Sequence, residues 1–184
     1  AEYLDRIEAT DGLGETVEVP EVPPGERSRE EKLDPDQGAH LLKQFRAGDE
    51  RGNRFHTVLE IAWHTAARIG GIRALDLRDF HPEEAYLSFR HRPSTDTPLK
   101  KKRDGERDVA IRPEVVQVIQ EYLRDYRIDD HDQYGRQPLF VSAKHNRASA
   151  SALRSWMYQA TYPCRFDPCP HGFDPPTCQF KEHQ

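Results

Sequence analysis

The chain has 184 residues, 32% of them charged against 35% hydrophobic, with a formal net charge of −5 and a mean hydropathy of −0.91. That length supports one full hydrophobic core with room for part of a second unit. No apolar run approaches the roughly 18 residues that a membrane-spanning helix needs and the first residues are polar, so a membrane-embedded helical protein is excluded and a soluble, cytoplasmic one is expected.

The charge is unevenly placed. Residues 1–50 carry 14 acidic and 6 basic side chains, whereas residues 51–184 carry 18 and 21, with eight of the nine histidines. An acidic leader before a mildly basic body fits a DNA-facing domain preceded by a solvated segment. The same acidic composition also suits a protein kept soluble in high salt. The first residue is Ala1 and the single methionine is Met157, so a piece of a longer protein is expected.

Residues 1–31 read as a leader or linker, because Pro20, Pro23 and Pro24 sit among Glu, Gly and Ser, a composition that buries little and stays extended. A helix is predicted to start at Asp34, with Asp34 as N-cap, Pro35 at N1 and Gln37 at N3. Leu41, Leu42 and Phe45 share one face, and Gly48 ends it. A second helix, about 53–65, is apolar nearly all round and reads as the central buried one. His56 and His64 on it read as packing or partnered core histidines rather than ligands.

From His64 to Leu77 the chain runs His-Thr-Ala-Ala-Arg-Ile-Gly-Gly-Ile-Arg-Ala-Leu-Asp-Leu. Arg68 therefore falls at a joint between two buried helices, where Gly70 and Gly71 permit close packing or a sharp change of direction. An arginine held by apolar walls presents a planar fork that grips a phosphate through two hydrogen bonds. The plainer roles are helix capping and an ion pair.

Residues 85–90 alternate apolar Ala85, Leu87 and Phe89 with Tyr86, Ser88 and Arg90, which predicts a half-buried strand. A second strand about 95–100 and a third about 107–111 are joined by Lys-Lys-Arg-Asp-Gly, and the Asp-Gly pair predicts a β-hairpin with a basic tip. Taken alone, such a basic run is a solvated turn. Pro113 opens a helix with Val115, Val118, Tyr122 and Tyr126 on one face. A polar loop follows at 129–136, then a short buried stretch at 138–142. A last helix, about 149–160, turns Leu153, Trp156 and Ala160 inward, while Lys144, His145, Arg147 and Arg154 near its start are placed to touch DNA phosphates.

Cys164, Cys169, His171 and Cys178 supply three thiols and one imidazole within fifteen residues. Such a set matches tetrahedral zinc, and a closed Cys3His site is structural rather than catalytic. The other readings are buried thiols, or one disulfide and a spare cysteine, which an intracellular setting disfavours.

Residues 65–77 resemble the first-arginine box of the tyrosine recombinase (phage integrase) family, whose usual form is Thr-Gly-x-Arg-Ile-x-Glu-Leu-x-x-Leu. Ala66 stands where the family has glycine and Gly71 where it has glutamate. The basic hairpin is similar to the family's lysine-bearing hairpin, and residues 138–142 to its Leu-Phe segment. The cysteine-rich stretch resembles insertions in integrase-like proteins of halophilic archaea and their viruses.

The resemblance implies an α+β fold over residues 32–184: a mainly helical catalytic domain, incomplete here, with a small three-stranded antiparallel sheet and a zinc knuckle at 163–178. Residues 1–31 then form a leader or linker, or the end of a core-binding domain. The implied chemistry is DNA breakage and rejoining through a 3′-phosphotyrosyl intermediate, with no metal in the reaction. In those terms Arg68 neutralises the scissile phosphate. Lys100 reaches it through the minor groove and protonates the leaving 5′ oxygen, with Lys101 and Lys102 as competitors for that role. Lys101, Lys102, Arg103, Arg107, Lys144, Arg147 and Arg154 are the expected DNA contacts. Double-stranded DNA and further recombinase protomers are the implied partners.

The family's His-x-x-Arg and nucleophilic tyrosine have no match: the spacing of His145 and Arg147 is one residue short, and Tyr122, Tyr126, Tyr158 and Tyr162 read as packing or surface residues. Those parts are expected downstream of Gln184, and the chain by itself is expected not to cleave DNA. Two further readings stand beside this one. One is a non-catalytic DNA-binding protein of the same fold. The other is a zinc-stabilised helical interaction module whose arginines and lysines only pack or face solvent.

Overall fold

The computed structural model describes residues 33–166 together with Cys169 and Gly172, so the leader reading of residues 1–31 lies outside the described residues. Helix α1 (Pro35–Ala47) begins as its sequence predicts. The Asp34 carboxylate accepts the Asp36 N–H at 2.9 Å and the Gln37 N–H at 3.5 Å, and Pro35 occupies the first turn, where no amide partner is needed. Helix α2 (Arg54–Thr65) is capped by Asn53, which accepts the Phe55 and His56 N–H groups, both at 2.9 Å. It is the central element and packs against α1, α3 (Ile69–Ala74), α4 (Pro113–Asp125) and α5 (Ala150–Ala160).

The contact of α1 with α2 is close. The Trp63 ring lies over Gly38, where an added Cβ would come within 2.2 Å of the indole. Leu41, Leu42 and Phe45 then join Leu59 and Ala160 in a small cluster of their own. The larger core lies between α2, α3, α4, α5 and the sheet, and includes Val58, Ile61, Ile72, Leu87, Phe89, Ile119, Leu139 and Leu153. Helix α4 buries Val115, Val118 and Tyr122 as expected, but Tyr126 is 46% exposed. The helix ends at Asp125, and the next residue leaves the helical path before it can share that face.

A three-stranded antiparallel sheet is present, yet its strands are not all the expected ones. The order is β1 (Phe80–His81), β2 (Tyr86–Phe89), β3 (Arg107–Ala110), with Phe80 opposite Leu87 and Leu87 opposite Val109. The stretch 95–100, predicted as a strand, is instead a closed turn. Arg92 and Thr97 exchange backbone hydrogen bonds of 3.1 and 3.0 Å around a 3₁₀ turn (Pro93–Thr95), with Asp96 in the left-handed region at φ 55°. Pro93 and Pro98 remove two of the amides that a ladder would need, so β1 takes the place at the sheet instead. The expected basic tip is a second 3₁₀ turn (Lys102–Gly105) leading into β3. A further two-stranded ladder pairs β4 (Val141–Ser142) with β5 (Asn146–Arg147). Among the described residues no helix is long and apolar enough to cross a membrane.

Candidate nucleic-acid interface

Arg68 stands at the sharp joint between α2 and α3. The turn there is made at Ala66, which ends α2 in the left-handed region (φ 49°), rather than at either glycine. Thr65 shapes it: its hydroxyl donates to the Ile61 carbonyl at 2.6 Å and accepts the Ala67 N–H at 3.2 Å. The glycines divide the remaining work. Gly71 packs on the Phe89 ring of β2, where a Cβ would sit at 3.4 Å, whereas Gly70 has open space around it. Arg68 caps α3 through its carbonyl, which accepts the Gly71 and Ile72 N–H groups at 2.8 and 3.1 Å. Its side chain is exposed, with no hydrogen bond, ion pair or ring contact among the described residues. The capping and ion-pair alternatives for that guanidinium are therefore unused.

One turn upstream the helix is anchored by a buried carboxylate. Glu60 is fully buried and accepts the Arg46 fork of α1 at 2.6 and 2.9 Å. The Gly52 N–H donates to His56 Nδ1 at 3.0 Å, which leaves His56 Nε2–H to donate to Glu60 Oε1 at 3.1 Å. His64 Nδ1 lies 3.0 Å from the Glu60 carbonyl and 3.2 Å from its carboxylate. Both histidines are thus partnered, His56 fully buried and His64 half-buried. Burial pushes the Glu60 carboxyl up, but the hydrogen bonds from His56, His64 and Arg46 outweigh it and hold the group well below its ordinary range. The Glu60 hydrogen bond raises His64 against the opposing effect of its burial.

Lys100, Lys101, Lys102 and Arg103 are all exposed between the 92–97 turn and β3, and none has a side-chain partner among the described residues. Arg107 follows them on β3, exposed, with its guanidinium 4.7 Å from the centre of the Phe89 ring. Phe89 therefore touches Gly71 of the arginine-bearing helix and supports Arg107 of the basic segment.

Arg147, expected at DNA, is placed otherwise. It is only 9% exposed, and its Nε and Nη2 donate to Asp132 Oδ2 at 2.9 and 2.8 Å, Nη2 also to Asp76 Oδ1 at 2.6 Å. Its Nη1 donates to the carbonyls of Arg73 and Leu75 at 2.8 and 3.3 Å. That fork is spent on carboxylates and carbonyls inside the protein. Arg147 belongs to a network with no local signature in the sequence, in which buried Asp76, Asp79 and Asp132 face Arg92, Arg136 and Arg147. Asp132 is pushed up by burial, then held below its usual range by the Arg147 fork and by the Arg136 and Tyr134 N–H groups. The loop expected to be merely polar at 129–136 supplies two members of this network.

Lys144 and Arg154 are exposed and Arg154 has no partner among the described residues. Lys144 lines a cleft of about 790 Å³ with Arg54, Arg73, Tyr134, Asn146 and Trp156. The Arg54 guanidinium lies 5.3 Å from the Trp156 ring centre.

Of the four expected zinc ligands, Cys164 is 1% exposed and Cys169 half-buried, while His171 and Cys178 lie outside the described residues. Among the described residues no group of three or more His, Cys, Asp or Glu is arranged to hold a metal ion. Cys164 follows directly on the cluster under α1, where Phe166 meets the Phe45 ring edge-on at 4.8 Å and Arg165 pairs with Glu50 at 2.5 Å.

No protein-family model and no curated protein sequence matches the chain. Its backbone is similar to that of the XerA recombinase, with a TM-score of 0.53 at 20% identity over 77% of this chain and 45% of that one. It is also similar to the Tn1549 transposon integrase in complex with transposon right end DNA, with a TM-score of 0.50 at 18% identity over 77% of this chain and 46% of that one. A complex of that integrase with a circular intermediate DNA gives 0.52 at 16% identity, over 82% and 50%. The chain spans about half the length of the structures it matches. At these identities the shared property is the fold, a helical domain with a small antiparallel sheet.

Proposed function

We propose that this chain is part of a DNA-binding, site-specific tyrosine recombinase of the integrase type, with Arg68 directed at the scissile phosphate and Lys100 at the leaving 5′ oxygen. The observation that carries the reading is the division among the cations. Most of the arginines described are neutralised by carboxylates, whereas Arg68 at the helix joint and residues 100–103 are exposed and unpaired among the described residues. Exposed cations on rigid supports suit phosphate contact, and the structural neighbours that share the fold include integrase complexes with DNA. Lys101, Lys102, Arg103, Arg107, Lys144 and Arg154 extend the proposed contact surface; Arg147 is left out of it.

In the complete reaction a tyrosine attacks the phosphate, and Arg68 stabilises the charge that develops there. The sequence given contains no His-x-x-Arg, so the test made on this chain is binding. Arg68→Ala and Lys100→Ala are each expected to weaken binding to duplex DNA about tenfold and to lower the salt dependence by about one phosphate contact, with the fold intact. Folded variants that bind as tightly as the parent would instead favour an interaction module.

We also propose that Cys164, Cys169, His171 and Cys178 hold one structural zinc ion. The three thiols and one imidazole suit that ion, and the burial of Cys164 suits a closed site. Metal analysis of the purified protein is expected to give one zinc per chain, lost on Cys164→Ser. A parent protein without zinc ends this proposal and leaves the DNA reading untouched.

A further inference from the structure

Helix α3, which carries Arg68 at its start, is too weak to hold itself in place. It has six residues, two of them glycine, and its last carbonyls have no amide partners within the helix. Guanidinium groups take those carbonyls instead. Arg147 reaches Arg73 and Leu75, and Arg136 Nη2 donates to the Ala74 carbonyl at 3.3 Å and to Asp76 Oδ1 at 2.9 Å, with Nε on Asp76 Oδ2 at 2.8 Å. The other amino group of Arg136 points to the 92–97 turn. Nη1 donates to Thr95 Oγ1 at 2.5 Å, Thr97 Oγ1 at 2.8 Å and the Thr95 carbonyl at 3.3 Å. Every N–H of this one side chain is thus committed, three to Ala74 and Asp76 at the end of the helix that begins at Arg68 and two to the turn that leads into Lys100.

The links from these anchors to the two cations are short. From Ala74 back to Arg68 runs a single short helix. From Thr97 forward to Lys100 come Pro98, with its fixed φ, and Leu99, buried and held by a 2.9 Å hydrogen bond from its N–H to His91 Nδ1. A second tie runs in parallel, from Arg73 of α3 to the Asp96 carboxylate at 2.7 Å.

We infer that Arg136 is a positioning residue that sets Arg68 and Lys100 at a fixed separation, so that both engage one stretch of DNA backbone. The inference rests on the functional reading above. Arg136 touches no DNA in this role and acts through the other two residues, so its signature is non-additivity. The test is a mutant cycle on the 184-residue chain, reading affinity for a random-sequence DNA duplex at fixed salt, with folding checked by circular dichroism. Arg136→Lys keeps the charge but loses the planar fork. It is expected to weaken binding about tenfold in the parent and less than about twofold in the Arg68→Ala/Lys100→Ala double variant.

An equal loss in both backgrounds, or no loss in the parent, overturns the positioning role and leaves the functional reading standing. If Arg68→Ala and Lys100→Ala themselves change nothing, both fall. Should Arg136→Lys fail to fold, Thr95→Ala at a half-buried site removes the shortest of the three Arg136 contacts on the turn, with the hydroxyl's own bond to the Arg92 carbonyl, and leaves the contacts at α3 in place. Its effect is expected to vanish in the Lys100→Ala background and to persist in the Arg68→Ala background. Persistence in both overturns the inference.

Discussion

Asp76→Ala is expected to destabilise the chain by about 3–5 kcal/mol, the usual cost of removing one partner from a buried ion-pair network. Asp76 is 2% exposed and accepts from Arg136 at 2.8 and 2.9 Å and from Arg147 at 2.6 Å. Its loss leaves two nearly buried guanidinium groups short of a carboxylate, Arg147 with Asp132 and two carbonyls, and Arg136 with threonine hydroxyls and carbonyls alone. It also frees the end of α3, since the same forks hold the Arg73, Ala74 and Leu75 carbonyls. Urea denaturation of the parent and the variant measures the loss. The exposed neighbouring pair Arg124 and Asp125, 2.7 Å apart, is the control, and Asp125→Ala should leave the midpoint where it is. A change at Asp76 no larger than that control would mean that the remaining carboxylates satisfy both arginines, and the network would lose its structural importance.

Glu60→Gln is expected to cost about 3 kcal/mol near neutral pH and to flatten the dependence of stability on pH. The amide keeps the shape but brings N–H donors against the Arg46, His56 and His64 donors that now converge on a carboxylate. The sign of the pH effect follows from the two shifts. The Glu60 carboxyl is depressed in the folded chain, so its contribution is complete above the unfolded carboxylate value of about 4.3 and is lost as pH falls below it. His64 is raised, so its contribution is complete below about 6.5 and is lost as pH rises through the higher folded value. The parent should therefore gain most from this cluster between about pH 4.3 and 6.5, and the Gln variant should lose that maximum. An unchanged pH profile in Glu60→Gln would show that the cluster does not govern how α1 is held against α2.

The helices were readable because their signals are local. Asp34, Asn53 and Ser149 cap the helices they precede, and the apolar faces of α1, α4 and α5 recur at helical spacing. The joint at Arg68 was readable for a related reason: Thr65, Arg68 and Gly71 act within a few residues of one another, on the joint and on the face of α3 that meets Phe89. The basic hairpin was only half readable. Its Asp-Gly turn signal fell within a real 3₁₀ turn, but which stretch pairs with β2 depends on amides that Pro93 and Pro98 lack and on a register set across the sheet.

The sequence by itself determined where the helices begin, which faces they bury and that an arginine would stand at a joint between two of them, since capping and periodicity act over one or two turns. Only the tertiary structure decided which cations face outward. Arg147 and Lys144 lie three residues apart and look alike as candidates, yet one is nearly buried and consumed by Asp76 and Asp132 while the other is exposed. The partners of Arg136 and Arg147 on Asp76 are 60 and 71 residues away in the chain, and charges so distant meet only where core packing brings their segments together.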